Sequence, residues 1–520
     1  MRTKRGLGRL PWYAWALLCG LAAAALLVWA RSRYQFDDAF ISYRYAANLF
    51  AGRGLVFNPG ERVEGYSNLL LVLLMATGLG VGIPPTVSGP LLGVLSLLAI
   101  LAGGWWVVWK AVEEWTPERR IGASALLFVL PLSHGLASAS GSGLETMLFA
   151  ALVFFAAILW AGEASSPRRS IGMPLLLSLL VLARPDGIVA VATLLLLELG
   201  TAAVRARRLA KGCVALLRLG MAPVLVAAAQ TIWRLGYYGA FYPNPYFAKG
   251  ADTPQYASGL AYAWAFLRSY PAVPLLLPAL ALVIVRGGQR FAARLALAGT
   301  ALLFGYGACL VRVGGDFMDY RLFWHVLPVV LVAEIVAVTD VLGATRWMQA
   351  ALTAAVLGLA FVPPRLESVY YMQTLPEMQH YVDDGTLVGK GLARLPQDTV
   401  VATTLIGTIG YYSGLRLVDQ WGLVDADVRS RPPRRPFVRG HLKFTAAPEA
   451  LRKGADLLLE HPDIRACGPE VLKTAHDAGF RLDDGRCVRA LVLSPRDGFR
   501  AMVCSDRQRF PVLGSQVCGP

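Results

Sequence analysis

Charge is what this chain has least of: 16% of its 520 residues are charged, against 56% that are hydrophobic. A soluble domain carries about 25% charged residues. So large a deficit excludes a chain that is soluble throughout and puts most of it in lipid, as the mean hydropathy of +0.50 also requires. No internal repeat is evident, so the duplication seen in many transporters is missing, and no low-complexity tract stands out. No C-x-x-C spacing occurs, which counts against a zinc site, and no N-x-[S/T] sequon occurs, which decides nothing about the source. The net charge is +16, but no basic stripe with interleaved aromatics lies in the polar part, so nucleic acid is not an expected partner. On a membrane protein such an excess reads as cytoplasmic loops held against anionic lipid.

Apolar runs long enough for a bilayer, or nearly so, lie near 12–31, 67–82, 87–109, 121–137, 144–162, 171–184, 187–204, 213–235, 271–286, 291–312, 321–342 and 347–363. The first is longer than a signal-peptide core of about 7–15 residues, and with more spans behind it a retained helix is expected. Basic residues cluster in "KAVEEWTPERR", "EASSPRR", "RARRLAK", "RGGQR" and "ATR". If every run crossed, each of these loops would land outside. If 67–82 dips into the membrane without crossing, all fall inside with the N-terminus, as the positive-inside rule asks. That parity gives about eleven crossings and puts the tail outside.

The tail carries Cys467, Cys487, Cys504 and Cys518, whereas Cys19, Cys213 and Cys309 lie in apolar runs. Four cysteines in one polar region suggest disulfides in an oxidising compartment, with sequential pairing the expectation and zinc the rival. The same parity puts six polar segments on one rim: "FDDAFISYRYAANL", "ERVEGYSN", "ASGSGLE", "ARPDG", "YYGAFYPNPYFAKG" and "GGDFMDYRLFWH". Polar groups at membrane depth are tolerated where they line a cavity. The expected organisation is a membrane region over 1–363, with its first outer loop at 32–86, and an extracytoplasmic α/β region over 364–520. In the latter, "TVVATTLIGTIGYYSG" reads as a strand running into a helix.

Residues 36–50 read as a helix ended by Gly52 and Gly54. Phe36, Phe40, Tyr43, Ala47 and Phe50 form an apolar stripe for lipid or the bundle. Asp37, Arg44 and Asn48 share one flank and Asp38, Ser42 and Tyr45 another, both expected to look into a cleft. The plainer alternative is that Asp38 caps the helix while Asp37 pairs with Arg44.

From "FDDAFISYRYAANLFAGRGLVFNPGERVEGYSN" through "SGLE", "ARPDG", "YYGAFYPNPYFAK" and "GGDFMDYR" to "GYYSGLRLVDQWGLVD", the chain resembles the mycobacterial terminal arabinofuranosyltransferases and their wider bacterial relatives. Those are polytopic glycosyltransferases of the GT-C type. The resemblance covers about residues 30 to 430. It departs where the family often has a Trp after "YSN" plus one residue, since this chain reads "YSNLLL", and "RPPRRPFVRG" and the cysteine-bearing end have no counterpart in it.

The resemblance implies a polytopic α-helical membrane protein of the bacterial inner membrane. It would transfer a sugar, arabinofuranose or another pentose, from a polyprenyl-phosphate donor to a polysaccharide or glycolipid acceptor of the envelope. The acidic pair Asp37 and Asp38 is then the expected catalytic group, with Asp37 preferred because Arg44 shares its flank. A carboxylate can take the acceptor's proton, and cations can stabilise the departing lipid phosphate. Arg44, Arg184, Lys249, Arg321 and His325 are the candidates for that second role. Each has a plainer reading: Arg184 pairs locally with Asp186, Lys249 snorkels to head groups, Arg321 is counter-ion to Asp316 and Asp319, and His325 sits satisfied in the core. Tyr242, Asn244 and Tyr246 are candidate sugar or lipid-rim contacts, and Glu145 either holds a sugar hydroxyl or caps a helix. No cofactor is implied beyond a divalent cation bridging Asp37 or Asp38 to the phosphate. A lipid-linked oligosaccharide polymerase or ligase, a transporter or flippase with Glu198 or Glu334 on its pathway, and an envelope-binding scaffold are the alternatives.

Overall fold

The computed structural model describes residues 18, 20–22, 25–26, 34–111, 115–130, 134–163, 166–206, 209–287, 290–318, 320–342, 375–432, 443–465 and 477–492. The expected first and last spans lie largely or wholly outside these, as do Cys19, Cys467, Cys504, Cys518 and Asp319.

The chain opens with α1 (Asp37–Phe50), α2 (Leu69–Gly80), α3 (Pro85–Trp106), α4 (Pro117–Val129), α5 (His134–Gly141), α6 (Thr146–Ala161), α7 (Pro167–Ala183), α8 (Gly187–Ala206) and α9 (Leu209–Tyr238). It continues with α10 (Asn244–Ala248), α11 (Tyr256–Ser269), α12 (Ala272–Gly287), α13 (Phe291–Val313) and α14 (Leu327–Leu342). Among the described residues, four helical stretches are long and apolar enough to cross a bilayer: Pro85–Trp109, Gly187–Val204, Gly212–Tyr238 and Phe291–Val313. A fifth arises if α5 and α6, which meet at 113°, count as one broken span. The other expected spans fall on shorter helices or outside the described residues. At about 1.5 Å per residue the 12 residues of α2 extend about 18 Å, too short for a hydrocarbon core of about 30 Å. Only 17% of the apolar window of α9 is buried, leaving Met221, Leu225 and Ile232 facing outward as a lipid-facing helix would.

The two ends of the bundle differ. At one, Arg294 donates to the terminal carbonyls of α6, through Nη1 to Gly162 O at 2.6 Å and through Nη2 to Trp160 O, and Arg169 pairs with Glu198. A cation suits the unsatisfied carbonyls of a helix end. The six polar segments gather at the other end, where α6 begins.

Beyond Leu375 come α15 (Leu375–Leu392), β1 (Val400–Thr403), α16 (Ile406–Ser413), β2 (Arg416–Asp419), α17 (Ala447–Arg452), β3 (Leu457–Arg465), β4 (Asp477–Arg481) and β5 (Cys487–Val492). The strands form one sheet in the order β2-β1-β3-β5-β4. β1 is parallel to β2 and β3, while β5 runs antiparallel to β3 and β4. The strand and helix expected in "TVVATTLIGTIGYYSG" are β1 and α16.

The hydrophobic packing divides unexpectedly. One apolar core joins the membrane helices. A second joins α1 and its loop (Phe40, Tyr43, Phe57) to Leu405, Ile406, Ile409 and Leu417 of the tail. Because the tail covers it, α1 is buried almost all round, and Phe50 is the one residue of its expected stripe that stays exposed. Of the two placements expected for the stripe, lipid is corrected; α1 packs against the tail, and Tyr43 also lies against the bundle at Gly89 of α3.

Candidate active site

A pocket of about 340 Å³ lies where the six polar segments meet. Each contributes lining: Asp38 and Ser42; Tyr66 and Asn68; Glu145; Arg184 and Asp186; Tyr242 and Lys249; Asp316 and Arg321. The C-terminal end of α13 adds Cys309 and Arg312, and the tail adds Leu423. The two expected flanks of α1 have parted. Successive side chains on a helix are about 100° apart, so neighbouring acids cannot share one partner face. Asp38, Ile41 and Ser42 turn to the pocket, and the flank of Asp37 and Arg44 turns to the tail.

Asp37 is buried, and both its oxygens accept bonds from the start of α16. Gly407 N reaches Oδ2 at 2.9 Å, while Thr408 N and Oγ1 reach Oδ1 at 2.7 and 2.6 Å. Burial pushes its carboxyl up to about 6, against the pull of these bonds. Arg44 is equally committed. Its Nε donates to Phe57 O at 2.8 Å, Nη1 to Gly410 O at 2.6 Å and Nη2 to Leu415 O at 2.7 Å. Neither residue lines the pocket, so the preference for Asp37 as the reacting acid and the phosphate role of Arg44 are both corrected. The expected Asp37–Arg44 pair does not form either. Of the two acids expected to bridge a cation to the phosphate, Asp37 does not fit, because its oxygens already take three donors and it does not line the pocket. No cluster of three metal-ligating side chains occurs among the described residues.

Asp38 is half-buried and has no hydrogen-bond partner among the described residues; Arg321 feels its charge. Below it runs a connected polar floor. Ser42 Oγ donates to Asn68 Oδ1 at 2.9 Å, and Asn68 Nδ2 to Glu145 Oε2 at 2.6 Å. Arg184 donates through Nη1 to Glu145, and through Nε and Nη2 to Asp186 at 2.8 and 3.2 Å. Tyr306 completes the chain, donating to Asp186 and meeting His325 Nδ1 at 3.1 Å. Glu145 stands at the N-cap position of α6, yet its side chain makes no cap bond there. Flanked by two carboxylates, Arg184 has little charge to offer a ligand.

Arg321 differs. The turn that carries it uses two glycines with positive φ, Gly314 at 92° and Gly315 at 87°, and Tyr320 at 52°. A side chain at Gly315 would also meet the Tyr262 ring at 2.4 Å. Asp316 closes the turn, accepting from Phe317 N at 2.9 Å and from Arg321 Nε at 2.9 Å. Burial acts to raise the Asp316 carboxyl, but Arg321, Lys249 and the Phe317 amide hold it below the usual carboxylate range. The Nη atoms of Arg321 have no hydrogen-bond partner among the described residues. Nor does the half-buried Lys249 ammonium. With Arg312, whose Nη1 donates to Ala251 O at 3.1 Å and which meets no carboxylate among the described residues, these are the lining cations with donors to spare, beside the carboxylate of Asp38.

The remaining candidates sort by position. Tyr242 lines the pocket and stacks on Tyr246 with ring centroids 4.4 Å apart. Asn244 is buried out of the pocket, its Nδ2 shared among Gly422 O, Leu423 O and Asp425 O at 2.8–3.1 Å, so the expected sugar contact is corrected to a tie to the tail. His325 is fully buried against Phe149 and Tyr306 and does not line the pocket, which rules out direct contact with a phosphate there. Glu334, buried with both oxygens unpartnered among the described residues, also lies away from the pocket. Ser42 was expected on the cleft-facing flank of Asp38, where it is found; Asn68, Tyr306 and Arg312 were not singled out from the sequence. For Tyr306 and Arg312 a signal existed: with Cys309 they recur every three residues on one face of an apolar helix, where polar groups mark a cavity wall.

The architecture is a polytopic helical bundle of the GT-C fold type. The chain is 28% identical over 386 residues to the terminal beta-(1->2)-arabinofuranosyltransferase of Mycobacterium tuberculosis, covering 65% of this chain and 59% of that protein. It is 29% identical over 367 residues to the protein of the same name from Corynebacterium glutamicum, covering 60% and 50%. The chain thus matches less than two thirds of the length of either relative. Residues 372–487 match a family described as a domain of unknown function, DUF8728. Among solved structures, ArnT from Cupriavidus metallidurans bound to undecaprenyl phosphate superposes with a TM-score of 0.55 at 13% identity, over 93% of this chain and 99% of that one. At that identity the likeness is one of fold.

Proposed function

We propose that the pocket transfers a single sugar, arabinofuranose or another pentose, from a polyprenyl-phosphate donor to an envelope polysaccharide or glycolipid, on the extracytoplasmic face of a bacterial inner membrane. One observation carries the reading: Asp38, which has no hydrogen-bond partner among the described residues, shares a pocket with Lys249, which likewise has none, and with Arg321, which gives its Nε to Asp316 at 2.9 Å and has Nη atoms without a partner there. Asp38 takes the proton of the acceptor hydroxyl as its oxygen bonds to the anomeric carbon. The bond from that carbon to the phosphate oxygen breaks, and the lipid phosphate leaves with the electron pair. Its growing charge is met by the Arg321 guanidinium and the Lys249 ammonium. Arg184, Glu145, Asn68 and Ser42 form the floor, and Tyr242 with Tyr246 forms an aromatic rim suited to sugar or lipid. The arabinofuranosyltransferases named above and the undecaprenyl phosphate bound to ArnT support this choice of sugar and carrier.

The test is transfer from a panel of labelled polyprenyl-phosphate pentoses and hexoses by purified protein, beside Asp38→Asn. Loss of at least 100-fold in turnover with Asp38→Asn is expected. Full activity of that variant, or no transfer from any lipid-linked donor, would overturn the proposal.

A further inference from the structure

The same tail elements grip both walls of the pocket, and Asp37 is the point where they grip α1. The helices α1 and α16 lie side by side and run in the same direction. Asp37 meets the first amides of α16, and Arg44, seven residues or about 10 Å further along, meets the carbonyls of Gly410 and Leu415 at its far end. Acid at the positive end and base at the negative end is the arrangement a helix dipole favours. Two glycines make the approach feasible: a side chain at Gly407 would strike the Asp37 carbonyl oxygen at 1.9 Å, and one at Gly410 would meet Arg44 Nη1 at 2.8 Å. Asn58, in the loop after α1, extends the contact by pairing with both Leu417 N and Leu417 O of β2, at 3.1 and 2.9 Å. Just beyond β2, the carbonyls of Gly422, Leu423 and Asp425 hold Asn244, five residues before Lys249, and Leu423 itself lines the pocket.

We infer that Asp37 is a positioning residue for the proposed transfer, acting through α16 to fix the first turn of α1 so that Asp38 points into the pocket. The inference rests on the functional reading above, but the grip has its own readout. Residues 406–425 are then half of the active-site frame, holding Asp38 through Asp37 and the Lys249 segment through Asn244. A misplacement of about 1 Å at a reacting group can cost about 100-fold in rate, so loosening the grip should lower turnover by about 10- to 100-fold. Donor KM should change by less than about twofold, because Arg321 is carried by a different turn.

The experiment compares Asp37→Asn, Thr408→Val and Thr408→Ser in the full chain. Hydrogen exchange of the peptide over 404–414 reads the grip, and transfer from the accepted donor reads turnover. Faster exchange is expected in Asp37→Asn and Thr408→Val, with the same fall in kcat and with the acid limb of the pH–rate profile retained. Thr408→Ser, which keeps the hydroxyl, should restore both. If Asp37→Asn does not fold, the two Thr408 variants carry the comparison alone. Two outcomes overturn the inference: loosened exchange with wild-type kcat, or abolished turnover and a lost acid limb in Asp37→Asn with exchange unchanged, which would make Asp37 the group touching the reacting atoms. Full activity of Asp38→Asn would instead sink the functional reading, and the exchange data would still report whether Asp37 holds α16.

Discussion

Replacing Lys249 by Met should weaken donor use far more than it weakens the fold. The side chain is half-buried at the pocket wall, its ammonium makes no hydrogen bond among the described residues, and Asp316, whose charge it feels, is already bonded to Arg321. Removing the charge therefore strands no partner, and Met preserves most of the aliphatic stem. What disappears is one charge-assisted contact to the donor phosphate, worth about 1.5–3 kcal/mol. A bare Coulomb estimate at about 4 Å and an effective dielectric constant of about 20 gives roughly 4 kcal/mol, an upper bound for so open a site. The smaller range corresponds to a rise in donor KM of about 10- to 150-fold. Steady-state transfer at varied concentrations of polyprenyl-phosphate pentose measures it, with thermal unfolding in detergent as the control for folding. An unchanged KM and kcat in a well-folded Lys249→Met protein would refute the argument that this ammonium is free for the phosphate.

Arg184→Met should behave oppositely, because it leaves the buried Glu145 and its neighbour Asp186 without their cation. A loss of about 3–5 kcal/mol is expected, read as a lowered unfolding midpoint, whereas a selective rise in donor KM at normal stability would contradict the pairing described. Asp419 gives a pH signature. Burial pushes its carboxyl up to about 7, although it accepts from Trp421 N and Val424 N. A folded-state value above the ordinary one means that protonation favours the folded form. That contribution is complete below about pH 4 and is lost as pH rises through about 7. Asp419→Asn should therefore flatten the fall in unfolding temperature between pH 5 and pH 8, and an unaltered slope would rule out Asp419 as its source.

The periodicities of the chain were enough for much of this. Apolar runs and basic loops, by alternation alone, implied that six polar segments share one end of the bundle, and all six line the pocket. Helix 37–50 and the strand–helix step at 400–413 were equally legible, because each is written in local spacing and local turn residues. The roles within the pocket were not legible. Asp37 and Asp38 are chemically identical neighbours, and a helix turns them about 100° apart. Which one meets the pocket depends on the rotation of α1 about its axis, and that rotation is fixed by α16, more than 350 residues away in the chain. The same holds for the cations: Arg44, Arg184, Lys249 and Arg321 look alike in one dimension. Only the folded arrangement decides which of them already face carbonyls or carboxylates, and so which charges are left for a ligand.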